Sequence, residues 1–205
     1  MNNFVKGFLP SKISISLMFL ALCMGAVITC LFSAQILGLQ LINDFYSTTY
    51  YGTFFEEISF LFVVFSSNLM VSFIIIIGGL ALIIPFLVLV MNFIFIGTII
   101  SAGILEYGLI KTLILIFGLL NTYPEFLAIL LAFDSGLVVL KTSFKTYKND
   151  WKTLFRQEIP LELKDILSNE LMNTVPRIIF LLLFAAILET LWAPFWHNYW
   201  FYNII

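Results

Sequence analysis

The stretch that decides the fold is Ile58 to Leu105, ISFLFVVFSSNLMVSFIIIIGGLALIIPFLVLVMNFIFIGTIISAGIL, which holds forty-eight residues and no charged side chain. As one α-helix it would be roughly 72 Å long, at about 1.5 Å per residue. The hydrocarbon core of a bilayer is only about 30 Å thick. We therefore expect this stretch to cross the membrane, turn and cross again, with Pro85 and Asn92 marking where the turn could lie.

The composition of the whole chain agrees with a membrane protein. Hydrophobic residues make up 61% of it and charged residues 11%, against roughly 45–50% and 25% in soluble domains. The apolar runs predict an all-α, polytopic membrane helix bundle forming one integral membrane domain over residues 1–205. The five expected spans are residues 13–37, 60–84, 87–108, 109–140 and 178–194. An amphipathic cytosolic segment is expected at residues 141–177.

The basic residues predict the orientation of the bundle. Seven of the ten Lys and Arg residues lie between Lys141 and Arg177, and Lys6 and Lys12 precede the first span. The positive-inside rule then places the N-terminus in the cytosol and, after five crossings of the plasma membrane, the C-terminus outside. This asymmetry indicates membrane topology and lipid contact, and it does not suggest nucleic-acid binding.

The fourth crossing is predicted to be discontinuous. Residues 108–120 would form a helix of roughly 20 Å, which is too short to cross alone. Thr122-x-x-Glu125 fits a capping box, and Pro124 fits the first turn of a new helix. We expect a half-helix, a break near 121–125, and a second helix that continues to at least Leu140.

Three acidic residues fall within predicted spans, where a carboxylate costs a few kcal/mol. Asp134 is near the cytosolic boundary, where we expect it to be hydrated or paired with a lysine. Glu125 and Glu189 are deeper, and each lies on a face of small residues. Our hypothesis is that both enter one buried polar site near the helix break, where like-charge repulsion would let the site hold a proton or a cation. The other members expected at this site are Asn92, Asn121 and Thr122.

The alternative for the two glutamates is that each is protonated and bonds separately to a helix backbone.

Small residues are expected to allow close packing of the helices. In the first span they form a stripe of Ala21, Gly25, Thr29 and Ser33. In the other spans they are Gly97, Ala128, Ala132, Gly136, Ala185, Ala186 and Ala193.

A further amphipathic helix is predicted after Pro160. Its apolar face needs a cover, and two covers are open: the protein's own spans, or a cytosolic partner. The residues on this predicted docking face are Leu163, Ile166, Leu167 and Leu171.

No catalytic constellation is found in the sequence. There is one histidine, His197, among aromatic residues at the end of the last span, and the two cysteines, Cys23 and Cys30, lie within the first apolar run. G-x-S-x-G, H-E-x-x-H and P-loop motifs are missing. We expect a protein that is not an enzyme and has neither a cofactor nor a metal site.

The order of these features resembles the stage II sporulation protein M family. The resemblance covers most of the chain from Asn68 to Pro194, and the motifs that carry it are Asn92 with Gly97, Glu125 with Ala128, and Ala185-Ala186-x-x-Glu189 ending at Pro194. It implies a five-span membrane protein without enzymatic activity.

The chain departs from the family pattern at two places. The family usually has His-Gly ahead of the first glutamate, where this chain has Asn121-Thr122, and often a glycine after the asparagine, where it has Phe93. These departures suggest a divergent branch.

The resemblance implies two settings. In sporulation engulfment, members hold cell-wall hydrolases at the membrane. In gene clusters for circular bacteriocins, a relative of this size accompanies an ABC-type ATPase and is linked to export or immunity. The second setting leads to the expected partners, which are a cytosolic ATPase or other membrane subunits, with a peptide as substrate. The alternatives are a scaffold for peptidoglycan hydrolases and a small cation or proton channel built on Glu125 and Glu189.

Overall fold

A computed structural model of the chain describes residues 8–31, 54–81, 83–149 and 159–192, together with residues 195, 196 and 199. Within these residues the protein is helical and has no β-strand. The six α-helices and one 3₁₀ turn are, in chain order, α1 (Lys12–Leu31), α2 (Phe54–Gly78), the 3₁₀ turn (Gly79–Ala81), α3 (Ile84–Tyr107), α4 (Leu109–Gly118), α5 (Thr122–Asn149) and α6 (Leu161–Leu191).

Five of these helices are long and apolar enough to cross a membrane, which confirms the predicted all-α, five-span fold class. In the opening stretch, α2 is followed by the 3₁₀ turn Gly79–Ala81, and α3 begins at Ile84 with Pro85 in its first turn. Proline is tolerated there because the first helical N–H groups have no partner within the helix.

The first and third spans pack with their backbones in contact. A Cβ added to Gly25 would collide with the backbone of α3 at Ile94 and Gly97, and one added to Gly97 would collide with the backbone of α1 at Leu22. Ala21 and Thr29, on the same stripe as Gly25, are buried as well. This is the close approach that the small-residue stripe predicts, since glycine lets two helices come together without intervening side chains.

Helix α5 lies at the centre of the bundle. Over the most apolar eighteen residues of its span 61% are buried, against 22–33% over the same length in the other four spans. It packs against α6, α2, the 3₁₀ turn and α3. Ala128, Ala132 and Phe133 are fully buried on it. The two ends of the bundle can therefore be named from this helix, as the Glu125 end and the Lys141 end.

Gly136 is one of the residues that the sequence predicts to allow close packing of helices, and its neighbour is α2. A Cβ at Gly136 would meet the carbonyl oxygen of Ile75 in α2 at 2.6 Å, and one at Gly79 would meet the carbonyl oxygen of Gly136 at 2.5 Å. Gly136 therefore lets the end of α2 approach α5.

The described parts of the segment 141–177 continue the helices of the spans on either side of it. Helix α5 continues through Lys141 to Asn149, and α6 runs unbroken from Leu161 to Leu191 with Pro176 inside it. At 28 and 31 residues these helices are about 42 Å and 46 Å long, so both extend well past a bilayer core of about 30 Å. No glycine or proline interrupts α5 at Lys141, so the helix has no reason to end there.

The predicted break in the fourth crossing is present at Leu119–Asn121, between α4 and α5. Helix α5 is nevertheless long enough to cross by itself. The half-helix α4 follows α3 directly at Gly108, which has a φ of 82°. It packs against α3. It is therefore an additional short helix at the Glu125 end.

Several sequence predictions fall on residues outside the described ranges. They concern Lys6, Ser33, residues 150–158 of the predicted amphipathic segment, Ala193, Pro194 and His197.

Candidate buried polar site

A polar contact between two spans forms the centre of the candidate site. Asn68, fourteen residues into α2, donates from Nδ2 to Oε1 of Glu125 in α5 at 3.2 Å. Both side chains are partly buried, and the apolar residues Leu69 and Phe126 beside them pack against the core. The hydrogen bond satisfies one carboxylate oxygen that would otherwise face an apolar surrounding.

The second glutamate comes from α6. Glu189 lies close enough to Glu125 for the two carboxyl groups to interact electrostatically. Helices α5 and α6 pack along much of their length, and Ser135 of α5 shares a hydrogen bond of 2.6 Å with Thr174 of α6 further towards the Lys141 end. Since contacts that come later on α5 come earlier on α6, the two helices are antiparallel.

Small residues beside the glutamates are buried on both α5 and α6. Ala128 and Ala132 of α5 are fully buried, and Ala185 and Ala186 of α6 are 1% and 5% exposed. Alanine faces let the helix backbones approach without bulky side chains between them. At the Glu125 end of the bundle, Glu125 thus has a hydrogen bond from Asn68 and an electrostatic interaction with Glu189.

The start of α5 differs from the capping box that the sequence predicts. In a capping box the glutamate would accept the backbone N–H of the capping residue. The N–H of Thr122 donates instead to the carbonyl oxygen of Leu119 at 3.2 Å, and Glu125 accepts from Asn68. The hydrogen bond from Asn68 of α2 has replaced the local capping bond, so the side chain of Glu125 takes part in a contact between two spans.

Asn121 precedes this helix and is 8% exposed. Among the residues that the structure describes, its Oδ1 is one of three buried side-chain oxygen atoms with no hydrogen-bond partner. An unsatisfied buried acceptor costs roughly 1–3 kcal/mol.

The side-chain hydrogen bond of Asn92 goes to its own helix and not to either glutamate. Its Nδ2 donates to the carbonyl oxygen of Val88, one turn earlier in α3, at 2.7 Å. The amide is thereby satisfied by its own helix, as polar residues in apolar spans often are. Asn68 was not among the residues predicted for this site, because its pairing with Glu125 depends on the relative placement of α2 and α5.

Asp134 has partners that the sequence did not suggest. It accepts the backbone N–H of Ser11 at 2.6 Å and the hydroxyl of Ser14, whose side chain is fully buried. Ser11 caps α1 in turn, because its Oγ accepts the N–H of Ser14 at 3.2 Å. The carboxylate of α5 therefore binds the N-terminal end of α1, where the helix dipole favours a negative charge. The expected lysine pairing gives way to this contact.

The predicted docking face on α6 is turned towards the bundle. Leu163 is fully buried, Leu167 and Leu171 pack against the core, and Ile166 is partly buried. Of the two covers left open by the sequence, the protein's own helices are the one found. A partner could reach Leu163 only by displacing the packing around it.

The groups that could hold a metal or a disulfide are not assembled in the described part of the chain. No set of three or more His, Cys, Asp or Glu side chains is found there. Cys23 and Cys30 are free thiols on the exposed face of α1.

Five apolar helices, a central α5 and a carboxylate cluster between spans define a polytopic membrane protein of the helix-bundle class. Compared with known protein families, residues 14–194 match the family described as stage II sporulation protein M. The chain belongs to the stage II sporulation protein M family. Comparisons with curated proteins and with solved structures gave no match.

Proposed function

We propose that this protein is a non-enzymatic membrane subunit of an ABC-type export or immunity complex, whose cytosolic ATPase supplies the energy and whose substrate is a peptide such as a circular bacteriocin. The observation that carries this proposal is the length of α5 and α6. Both helices extend past the membrane at the Lys141 end, which the positive-inside rule assigns to the cytosol. They provide a rigid platform that a soluble subunit can bind.

Two exposed apolar side chains mark the surface on which we expect that subunit to dock. Leu161 is 77% exposed and Met172 is 74% exposed, both on the extension of α6. They are eleven residues apart, about three helical turns, so they project from the same side of the helix. We expect these two apolar groups to be covered by the soluble subunit. Leu163 and Leu167 are excluded from this surface because they are packed inside.

The test is affinity purification of the tagged protein from membranes of its native host, with identification of the proteins that accompany it. The proposal expects a cytosolic ATPase, whose yield falls at least severalfold with Leu161→Glu and with Met172→Glu. Asn173→Glu is the matched control, since Asn173 is exposed on the same extension but about 100° around the helix from Met172. Recovery without any ATPase, or with extracellular cell-wall hydrolases in its place, would contradict the proposal.

A second candidate function, a small cation or proton channel, draws support from the cluster of Asn68, Glu125 and Glu189. Two carboxyl groups near each other between spans favour an ion or a shared proton. The test is flux of protons and of monovalent cations into liposomes that contain the purified protein. Unchanged flux in Glu125→Gln and Glu189→Gln would exclude the channel.

A further inference from the structure

A cleft lies between α4 and the aromatic residues that follow α6. Its volume is about 440 Å³, and its walls are almost wholly apolar. It is independent of the glutamate cluster and of the cytosolic extension used above. The residues that line it are Ile110, Leu113, Ile114, Phe117, Gly118 and Trp196.

The exposure of α4 indicates which medium surrounds the cleft. Ile110 is 73% exposed and Phe117 65% exposed, and the other apolar side chains on this outer surface are Leu109, Leu113 and Ile114. A ten-residue helix with five exposed large apolar side chains would form an unusually apolar patch in water. We conclude that α4 is immersed in the lipid, in the same leaflet as the Glu125 end of the bundle.

The far wall of the cleft is held in place by hydrogen bonds and ring stacking. Trp192 donates from Nε1 to the carbonyl oxygen of Gly118 at 2.6 Å, and Trp196 donates to that of Leu115 at 3.3 Å. The Trp196 ring stacks on Trp192 and on Tyr199, with centroids 6.1 Å and 5.6 Å apart. It also lies against Gly118, where a Cβ would collide with it. The wall is therefore fixed, and the cleft does not depend on a ligand to shape it.

We propose that this cleft binds one acyl chain of a phospholipid from the surrounding leaflet. It is continuous with the lipid-facing surface of α4, so lipid tails are its immediate neighbours. Walls that are almost wholly apolar suit a hydrocarbon chain, which needs no hydrogen bond. A peptide strand would bring backbone N–H and C=O groups that the side chains lining the cleft cannot satisfy, at several kcal/mol for each such group in lipid.

The test is native mass spectrometry of the purified protein in a mild detergent, counting the phospholipids that remain bound. The proposal expects one phospholipid on the wild-type protein, and at least a fivefold smaller lipid-bound fraction for Leu113→Phe or Ile110→Phe, which fill the cleft. Leu109→Phe is the matched control, because Leu109 is exposed on α4 but does not line the cleft. Thermal unfolding of each variant verifies that the fold is kept.

Equal lipid retention by the filling variants and by Leu109→Phe would overturn the proposal. A dimer mass that disappears with Leu113→Phe would also overturn it, because a second copy of the chain would then occupy the cleft. Leu113→Ala, which enlarges the cleft without filling it, should keep the bound lipid, so a loss of lipid in this variant equal to that in Leu113→Phe would contradict the assignment.

Discussion

At the scale of single residues, the contact of Asp134 with the start of α1 is the most informative one in the bundle. One carboxylate receives the N–H of Ser11 and the hydroxyl of Ser14 across more than a hundred residues of sequence. The first span otherwise contacts chiefly α3. Asp134 therefore ties α1 to the central helix.

Replacing Asp134 tests that role. Hydrogen bonds to charged groups contribute about 1.5–3 kcal/mol, so Asp134→Ala should lower the free energy of unfolding by roughly that amount. The free energy of unfolding of Asp134→Asn should lie between those of the wild type and Asp134→Ala, because the asparagine amide retains one acceptor oxygen. The measurement is thermal unfolding in a single detergent. Ser16→Ala, an exposed serine on α1, is the control. An unchanged midpoint in Asp134→Ala would show that the contact does not stabilise the protein.

Replacing Glu125 by glutamine should not lower the stability of the protein, in contrast to the replacements of Asp134. Glu125→Gln keeps an oxygen that accepts from Asn68 and removes the repulsion from Glu189, so its unfolding midpoint should equal or exceed that of the wild type. Asn68→Leu removes the donor to the carboxylate and should lower the midpoint, by about 1–3 kcal/mol in free energy. A stabilised Asn68→Leu protein would contradict this description of the site.

At the scale of helices, the crossing of α1 and α3 depends on two glycines. Gly25→Leu would force the backbones apart, because a side chain there meets Ile94, Gly97 and Thr98. Overpacking of this kind costs about 1–3 kcal/mol. Val27→Leu adds a methylene group on the exposed face of the same helix and should have little effect.

The measurement for this crossing is disulfide trapping between cysteines introduced into α1 and α3, together with the unfolding midpoint. Gly25→Leu should reduce both the crosslinking yield and the midpoint, while Val27→Leu leaves both unchanged. Equal crosslinking in the two variants would mean that the two helices do not need the glycine contact.

The helices themselves could be predicted from the sequence because each is formed by one continuous stretch of residues. The apolar runs gave the five spans, and Pro124 with its neighbours located the break before α5. Pairing between helices was harder to predict. In lipid a face that contacts another helix is nearly as apolar as one that contacts acyl chains, so hydropathy does not distinguish them.

Particular residues show where that difficulty lies. Gly136 could be recognised as a packing residue, but its neighbour in α2 could not. Asn68 and Glu125 were each visible as polar groups in apolar surroundings, yet only the fold brought them to hydrogen-bonding distance. The apolar face of α6 that includes Leu163 could have packed against the protein's own spans or against a cytosolic partner. The burial of Leu163 in the structure shows that it packs against the protein's own helices.

At the scale of the whole molecule, the two ends of the bundle differ in character. The Glu125 end carries the carboxylate cluster, the short helix α4 and the Trp192–Trp196 stack. The Lys141 end carries the basic end of α5 and the polar start of α6. Such a division suits a membrane subunit that binds lipid in one leaflet and a soluble partner at the opposite face.

The sidedness of the two termini tests the central claim, a five-span bundle, most directly. Reporter tags at residue 1 and at residue 205 of the full chain, read in intact cells with a membrane-impermeant probe, give the side of each terminus. The five-span bundle predicts an N-terminal tag that is labelled only after the cells are permeabilised and a C-terminal tag that is labelled without permeabilisation. Both tags on the same side of the membrane would mean an even number of crossings and would contradict the account.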